Sequence, residues 1–144
     1  MKHIAIGLLI CLVVLTSCAA KSDTQEVPVI AIKEKMFIAQ INDIYSNADD
    51  YLGKSIQYEG LFNTTELPEA GTWHSVIRYG PGCCGDDGNV GFEVNWDKPY
   101  PKQNDWVKVT GVLESYEEEG MAFLRLALTD LTVLPTRGQD TVTQ

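Results

Sequence analysis

Alternation of apolar and polar residues with a period of two is the feature that most restricts how this chain can fold. It recurs in five short runs, Ile56–Phe62, Trp73–Tyr79, Val90–Trp96, Trp106–Leu113 and Met121–Leu134. Successive side chains of a strand point to opposite faces, so each run predicts a β-strand with one buried face. Turn signals separate the runs, among them Pro99 and Pro101, which do not fit inside a central strand. Five short strands joined in this way predict a small barrel.

The predicted fold is mainly β, a small five-stranded OB-like barrel with a short N-terminal helix, and a small open sandwich is the alternative. Gly60 and Gly111 interrupt strand runs, as expected where a small barrel bends sharply. A helix is predicted within residues 36–47, because apolar residues recur at the spacing of one helical face, Phe37, Ile41, Ile44 and Tyr45. We expect residues 33–135 to form the barrel domain and the polar residues 136–144 to form a disordered tail.

The N-terminus has the three parts of a secretory signal. Lys2 supplies the positive charge, residues 4–15 form an apolar stretch, and small residues follow it. The apolar stretch is shorter than the ~20 residues that a permanent membrane span needs. The pattern therefore predicts export of the chain and not an uncleaved membrane anchor.

The end of this signal is more specific than a general cleavage site. Leu15-Thr16-Ser17-Cys18 resembles the lipobox of bacterial lipoproteins, in which the cysteine is acylated and the bond before it is cut. The resemblance implies that residues 1–17 are removed and that Cys18 carries the lipid. Residues 18–32 mix polar side chains with little periodicity, so we expect a flexible tether there.

The charge of the chain argues against nucleic acid as a partner. The full sequence has 11 basic and 20 acidic residues, a formal net charge of −9. Removal of the signal takes away Lys2 and no acidic residue, which brings the charge to −10. A polyanion would be repelled by such a surface. We expect a protein held by membrane lipid through Cys18, on the extracytoplasmic side of the cell membrane or outer membrane.

One stretch, Arg78–Gly88, does not look like scaffold. It contains four glycines and a proline together with Cys83, Cys84, Asp86 and Asp87. Glycine allows close approach of the backbone, as loops around ions and ligands often need. Two thiols and two carboxylates within five positions could supply part of the shell of zinc or another divalent transition metal. The sequence therefore predicts a metal or ligand site in this stretch.

Other interpretations of the same residues stay open. Once Cys18 is acylated, Cys83 and Cys84 are the only thiols of the exported chain, and an oxidising environment favours a disulfide. The two cysteines could equally be small apolar fillers at the mouth of the barrel. His74, on the strand leading into the stretch, could add an imidazole ligand, although a surface or core histidine is the simpler interpretation. Aspartates in a glycine-rich segment are often turn residues.

From Tyr45 onward the chain resembles a known family, the OB-like C-terminal domains of small permease-associated membrane subunits of unknown function. The residues that carry the resemblance are Ile44-Tyr45-Ser46-Asn47, Tyr51-Leu52-Gly53-Lys54, Tyr58-Glu59-Gly60, Arg78-Tyr79, Cys83-Cys84 with Asp87, and Trp106-Val107-Lys108-Val109-Thr110-Gly111. The resemblance implies an OB-like barrel and picks out Cys83, Cys84 and Asp87 as the site. This chain departs from the family where Gly80-Pro81-Gly82 precedes the cysteines and where a lipid anchor replaces the membrane-spanning part.

The sequence contains no serine-nucleophile motif, phosphate-binding glycine loop, zinc-protease motif or thioredoxin-type cysteine pair. The leading hypothesis is therefore a non-catalytic accessory module that binds a transition metal or small ligand, with a membrane permease or another envelope protein as partner. In this hypothesis Arg78 neutralises charge near the loop and Asp86 supports it. A thiol-redox protein using Cys83 and Cys84 is the second hypothesis, and a structural or partner-binding lipoprotein is the third.

Overall fold

The computed structural model describes residues 28–68, 71–82 and 85–143 and shows a mainly β domain. The elements are β1 (Val29–Ala31), one turn of 3-10 helix (Glu34–Met36), α1 (Phe37–Ser46), α2 (Ala48–Tyr51), β2 (Ser55–Leu67), β3 (Gly71–Gly82), β4 (Gly85–Asn95), β5 (Trp106–Glu118) and β6 (Met121–Val133). Within these described ranges no helix is long and apolar enough to cross a membrane. The predicted signal peptide, Cys18 and the tether as far as Val27 lie outside the described residues.

Five strands close into a barrel in the order β2-β3-β4-β6-β5, and β5 pairs back onto β2. The β4–β6 pairing is parallel and the other four are antiparallel. This Greek-key order, in which the last two strands exchange places, is that of an OB-like barrel. The predicted five-stranded OB-like barrel is therefore confirmed, and the β2–β5 pairing from Ser55↔Val112 to Leu61↔Trp106 excludes an open sandwich.

Alternating positions of the strands fill the interior of the barrel. On β5 the inward side chains Val107, Val109 and Leu113 are at most 1% exposed, and Ile56, Tyr58 and Val94 are buried with them. Trp106 is also buried, but it lies in a second, smaller cluster with Leu61 and Ile77. The predicted bends have a packing reason, since a Cβ on Gly60 or Gly111 would lie 2.7 or 2.8 Å from the carbonyl oxygen of Ile77 or Ala127.

The helix does not open the domain, as the prediction of an N-terminal helix required, because β1 precedes it. Strand β1 pairs parallel with the start of β2, with Ile30 opposite Ile56, in a segment that had been expected to be tether. This edge of β2 is free because β3 pairs with β2 only from Leu61 onward. Helix α1 then packs its buried face, Phe37, Ile41 and Ile44, into the barrel core.

The C-terminal residues also differ from the expected disordered tail, as far as Thr143. The Tyr79 N–H donates to the carbonyl of Asp140 at 2.7 Å, and the Val142 N–H donates to the carbonyl of Tyr79 at 2.8 Å. The Val142 side chain is 4% exposed and belongs to the main core cluster. Pairing between β2 and β3 ends at Ile77, so the backbone of Tyr79 has an edge that this segment can occupy.

Candidate functional site

The stretch predicted to be a loop is mostly a hairpin of paired strands. Strand β3 continues to Gly82 and β4 begins at Gly85, and these two residues pair with each other. The register shifts between Gly80 and Gly82, where Pro81 has no N–H to donate to a neighbouring strand. The chain that joins the two strands is Cys83-Cys84, which lies outside the described residues, as do the side chains of Asp86 and Asp87.

The glycines of this hairpin have a structural reason of their own. A Cβ on Gly80 would lie 2.9 Å from Cγ2 of Val90, and one on Gly88 would lie 3.2 Å from the carbonyl oxygen of Pro81. Contacts this short would force neighbouring atoms to move. Glycine at these two positions therefore follows from close strand packing and is not separate support for a ligand loop.

Arg78 is held inside the barrel wall. Its Nε donates to the carbonyl of Glu59 at 2.8 Å, its Nη1 lies 3.5 Å from a carboxylate oxygen of Glu34, and the residue is 4% exposed. The guanidinium carbon lies 4.8 and 4.9 Å from the ring centres of Phe37 and Trp106. Burial lowers the pKa of Arg78, and the nearby carboxylate of Glu34 opposes that change. The predicted support of the cysteine loop by Arg78 stays a prediction.

His74 lies in an aromatic stack. Its ring centre is 3.8 Å from that of Tyr100 and 5.6 Å from that of Phe62, and Nδ1 is 3.1 Å from Oγ1 of Thr64. Burial lowers the pKa of His74, so the neutral imidazole is favoured. These contacts are those of a packed histidine.

His74 lies far along β3 from the turn that joins β3 to β4, and its part in a metal site stays a prediction. Eight residue steps along β3 lead from His74 to Gly82, a length along the chain of about 26 Å. Ligands of one metal ion must all lie within a few ångströms of each other. Among the residues that the structure describes, no group of three or more His, Cys, Asp or Glu side chains could hold a metal ion.

A groove that sequence reasoning missed lies between the two helices and the β5–β6 hairpin. It has a volume of about 520 Å³, and it is lined by Tyr45, Ala48, Asp49, Leu52, Glu93, Ser115, Ala122, Phe123 and Leu124. The sequence had assigned Tyr45 to the buried face of the helix, but its side chain is 47% exposed. The sequence did contain one indication of an exposed apolar surface. Met121 and Phe123 are apolar residues on one face of β6, next to its turn.

The two aromatic rings that line this groove, Tyr45 and Phe123, each stack on another aromatic ring. The ring of Tyr45 stacks on Phe92 at 5.1 Å, and its hydroxyl donates to the carbonyl of Gly91 at 3.0 Å. The ring of Phe123 stacks on Tyr116 at 5.6 Å. Each ring is thereby held by one packing partner while a large part of its surface stays open to solvent.

Charges surround the same rings. The hydroxyl of Tyr116 donates to a carboxylate oxygen of Glu93 at 2.5 Å, and burial together with this hydrogen bond raises the pKa of Tyr116 to about 12. Arg125 lies 4.7 Å from the ring centre of Tyr116, and its Nε is 2.6 Å from a carboxylate oxygen of Glu114. The guanidinium is therefore already paired with Glu114, and Arg125 is also the residue opposite Glu93 in the β4–β6 register.

Comparison with known proteins gives one match. A family model described as the DUF1980 C-terminal domain matches residues 16–137. No curated protein and no solved structure matches the chain. This match confirms the resemblance to a family of C-terminal domains, and the matched residues include the whole barrel.

Proposed function

This chain belongs to the family of the DUF1980 C-terminal domain, and we propose that it is a lipid-anchored, extracytoplasmic binding module without catalytic activity. The lipobox-like residues Leu15–Cys18 support the anchor, and the lack of catalytic motifs in the sequence supports a binding role. A permease or another envelope protein is the proposed partner, because the resemblance seen in the sequence, to domains of permease-associated subunits, implies such a setting.

The ligand that we propose is a divalent transition metal, with zinc as the first choice. The observation that carries this proposal is that the paired strands β3 and β4 are joined by two cysteines, between Gly82 and Gly85. Thiolates are strong ligands for zinc, and the carboxylate of Asp87 follows three positions after Cys84 to donate directly or to orient a ligand. Such a ligand set is incomplete by itself, so a water molecule, a small ligand or a partner protein would complete it.

Metal binding is tested on the exported chain with Cys18→Ser, in which Cys83 and Cys84 are the only thiols. We expect one bound zinc per chain by elemental analysis and two thiols protected from alkylation until a chelator is added. Thermal stability should rise with zinc concentration, because binding confined to the folded state stabilises it. Zinc affinity should fall as the pH is lowered, because protons compete for the thiolates.

Substitutions separate a metal site from a general effect of charge. Cys83→Ser and Cys84→Ser should each abolish the zinc-dependent stabilisation and leave the metal-free melting temperature unchanged. Asp87→Asn should weaken zinc binding, and Asp130→Asn, which removes the same charge on β6 away from the hairpin, is its matched control. A melting temperature of the reduced protein that does not respond to zinc, copper, nickel or chelator would rule out the metal proposal.

A thiol-redox function is the second candidate, favoured by the position of both remaining thiols on one hairpin of an exported chain. It predicts a reducible bond between Cys83 and Cys84 and no bound metal. Free thiols without metal binding would leave a structural or partner-binding lipoprotein. The anchor is tested separately by cell fractionation, in which Cys18→Ser should lose lipidation and membrane retention.

A further inference from the structure

The groove beside the β5–β6 hairpin combines two kinds of surface. Its apolar part includes three side chains that are large and unusually open to solvent, namely Tyr45 at 47%, Leu52 at 37% and Phe123 at 38% exposure. Scattered exposed apolar residues are normal on a protein surface, but here three of them line one depression. A volume of about 520 Å³ is within the range of sites for small organic ligands, ~300–1,000 Å³.

The charged part of the groove has a single sign. Asp49 and Glu93 are among its lining residues, Asp50 follows directly in α2, and none of the lining residues is basic. Two basic residues on or next to these elements have contacts of their own. Arg125 lies opposite Glu93 in the β4–β6 register, but its guanidinium pairs with Glu114. Nζ of Lys54 lies 5.4 Å from the ring centre of Tyr51.

We propose that this groove binds an organic cation, an ammonium or guanidinium group carried on an apolar body. The apolar body would cover Leu52, Ala122 and Leu124, and the cation would lie near the carboxylates and the open faces of the two rings. Aromatic faces attract cations, and the stacked rings of Tyr45 and Phe123 each leave part of their surface open to one. This site is separate from the hairpin cysteines, and the proposal does not depend on metal binding.

Charge complementarity distinguishes this ligand from other occupants. An anionic lipid surface or an organic anion would meet Asp49 and Glu93 and be repelled. A second copy of the exported chain carries the same net negative charge and would also be repelled. A neutral ligand could use the apolar surface but would gain nothing from the carboxylates.

The test uses three probes with a similar apolar body and different charge, 2-phenylethylammonium, 2-phenylethanol and 3-phenylpropionate. Each is titrated into the exported chain with Cys18→Ser, and binding is followed by NMR chemical shifts of the groove residues. We expect the cation to bind about tenfold more tightly than the alcohol at low salt, and the anion not to bind. The preference for the cation should shrink as salt screens the carboxylates.

Substitutions test the location. Glu93→Gln keeps an acceptor for Tyr116, and it should weaken binding of the cation about 2- to 5-fold, as should Asp49→Asn. Phe123→Leu should also weaken it by about 2- to 5-fold, through loss of the ring face. Asp130→Asn on β6 and Glu66→Gln on β2 remove the same charge away from the groove and should leave the affinity unchanged.

Three outcomes would overturn the proposal. The alcohol could bind as tightly as the cation, the two control substitutions could weaken binding as much as the groove substitutions, or the small cation could fail to bind. In the last case the peptide acetyl-Leu-Lys-Leu-amide serves as a further probe. Binding of this peptide alone would assign the groove to a protein partner with a basic side chain and not to a small cation.

Discussion

The wall of the barrel and the β3–β4 hairpin are both built from paired strands, but their side chains are used in opposite ways. Along the first part of β2, Ile56 and Tyr58 are at most 2% exposed and pack into the main core. In the hairpin, Gly80, Gly82 and Gly88 offer no side chain, and the strands are held by backbone pairing. The wall is therefore stabilised by packed side chains, whereas the hairpin depends on backbone pairing and on glycines that leave no room for a side chain at Gly80 and Gly88.

Tyr58 shows how specific the wall is. Its buried hydroxyl donates to the carbonyl of Val76 at 2.8 Å and accepts from the N–H of Phe92 at 3.1 Å. One phenol thus joins β2, β3 and β4, and burial raises the pKa of Tyr58, which keeps the hydroxyl protonated. Among the described residues of the hairpin beyond Tyr79, no side chain joins neighbouring strands by hydrogen bonds in this way.

The largest effect is expected from Leu113→Ala set beside Cys84→Ser. Leu113 is 1% exposed in the core, so truncation should lower the free energy of unfolding by ~2–5 kcal/mol through lost burial and a cavity. Cys84→Ser, in metal-free reduced protein, should change it by less than ~0.5 kcal/mol. Denaturant unfolding of the two variants measures both values, and similar losses would remove the distinction between wall and hairpin.

A smaller loss in the free energy of unfolding is expected from substitution of Arg78, which lies at the boundary between the wall and the hairpin. Arg78→Met keeps an apolar chain between the rings but leaves the buried carbonyl of Glu59 without its donor, which should cost about 1–3 kcal/mol. Arg78→Lys keeps the charge and loses the planar group between Phe37 and Trp106. We expect the lysine variant to recover only part of the stability. Full recovery would mean that charge alone matters at this position.

The strands could be predicted because a period-two pattern with one buried face leaves few alternatives. The run Trp106–Leu113 was predicted to be a strand with one buried face, and Val109 and Leu113 on that strand are both buried. The pattern does not reveal backbone edges, which exist only once the other strands have paired. Strand β1 and the C-terminal segment around Val142 fill such edges, next to Ile56 and Tyr79, and both were expected to be irregular.

The two candidate sites also differ in how far they can be recognised from the sequence. The cysteine pair is visible in the sequence because its members are adjacent and chemically distinctive. The groove depends on Tyr45 of α1, Glu93 of β4 and Phe123 of β6, which folding alone brings to one surface. Each of these residues has an ordinary explanation where it stands in the sequence, so no local signal marks them as a set.

The C-terminal segment gives a test of intermediate size. Val142→Ala removes two methyl groups from a side chain that is 4% exposed, and at ~0.8 kcal/mol for each buried carbon the loss should be about 1–2 kcal/mol. Val133→Ala, at a position 51% exposed, is the matched control and should have little effect. Equal effects in thermal unfolding would show that the segment does not contribute to the core in solution.

The smallest expected effect concerns pH and the wall residue His74. Its folded-state pKa is lowered by burial, so the unfolded chain binds a proton first as the pH falls. The stabilisation is complete above the unfolded pKa of ~6.5 and is lost as the pH drops below it. His3 lies in the predicted signal, so His74 is the only histidine of the exported chain and should dominate between pH 7.5 and 5.5. His74→Phe keeps a ring against Tyr100 and should flatten the dependence of the melting temperature on pH over this interval. If the two proteins lose stability in parallel, the packed histidine is not the group that responds.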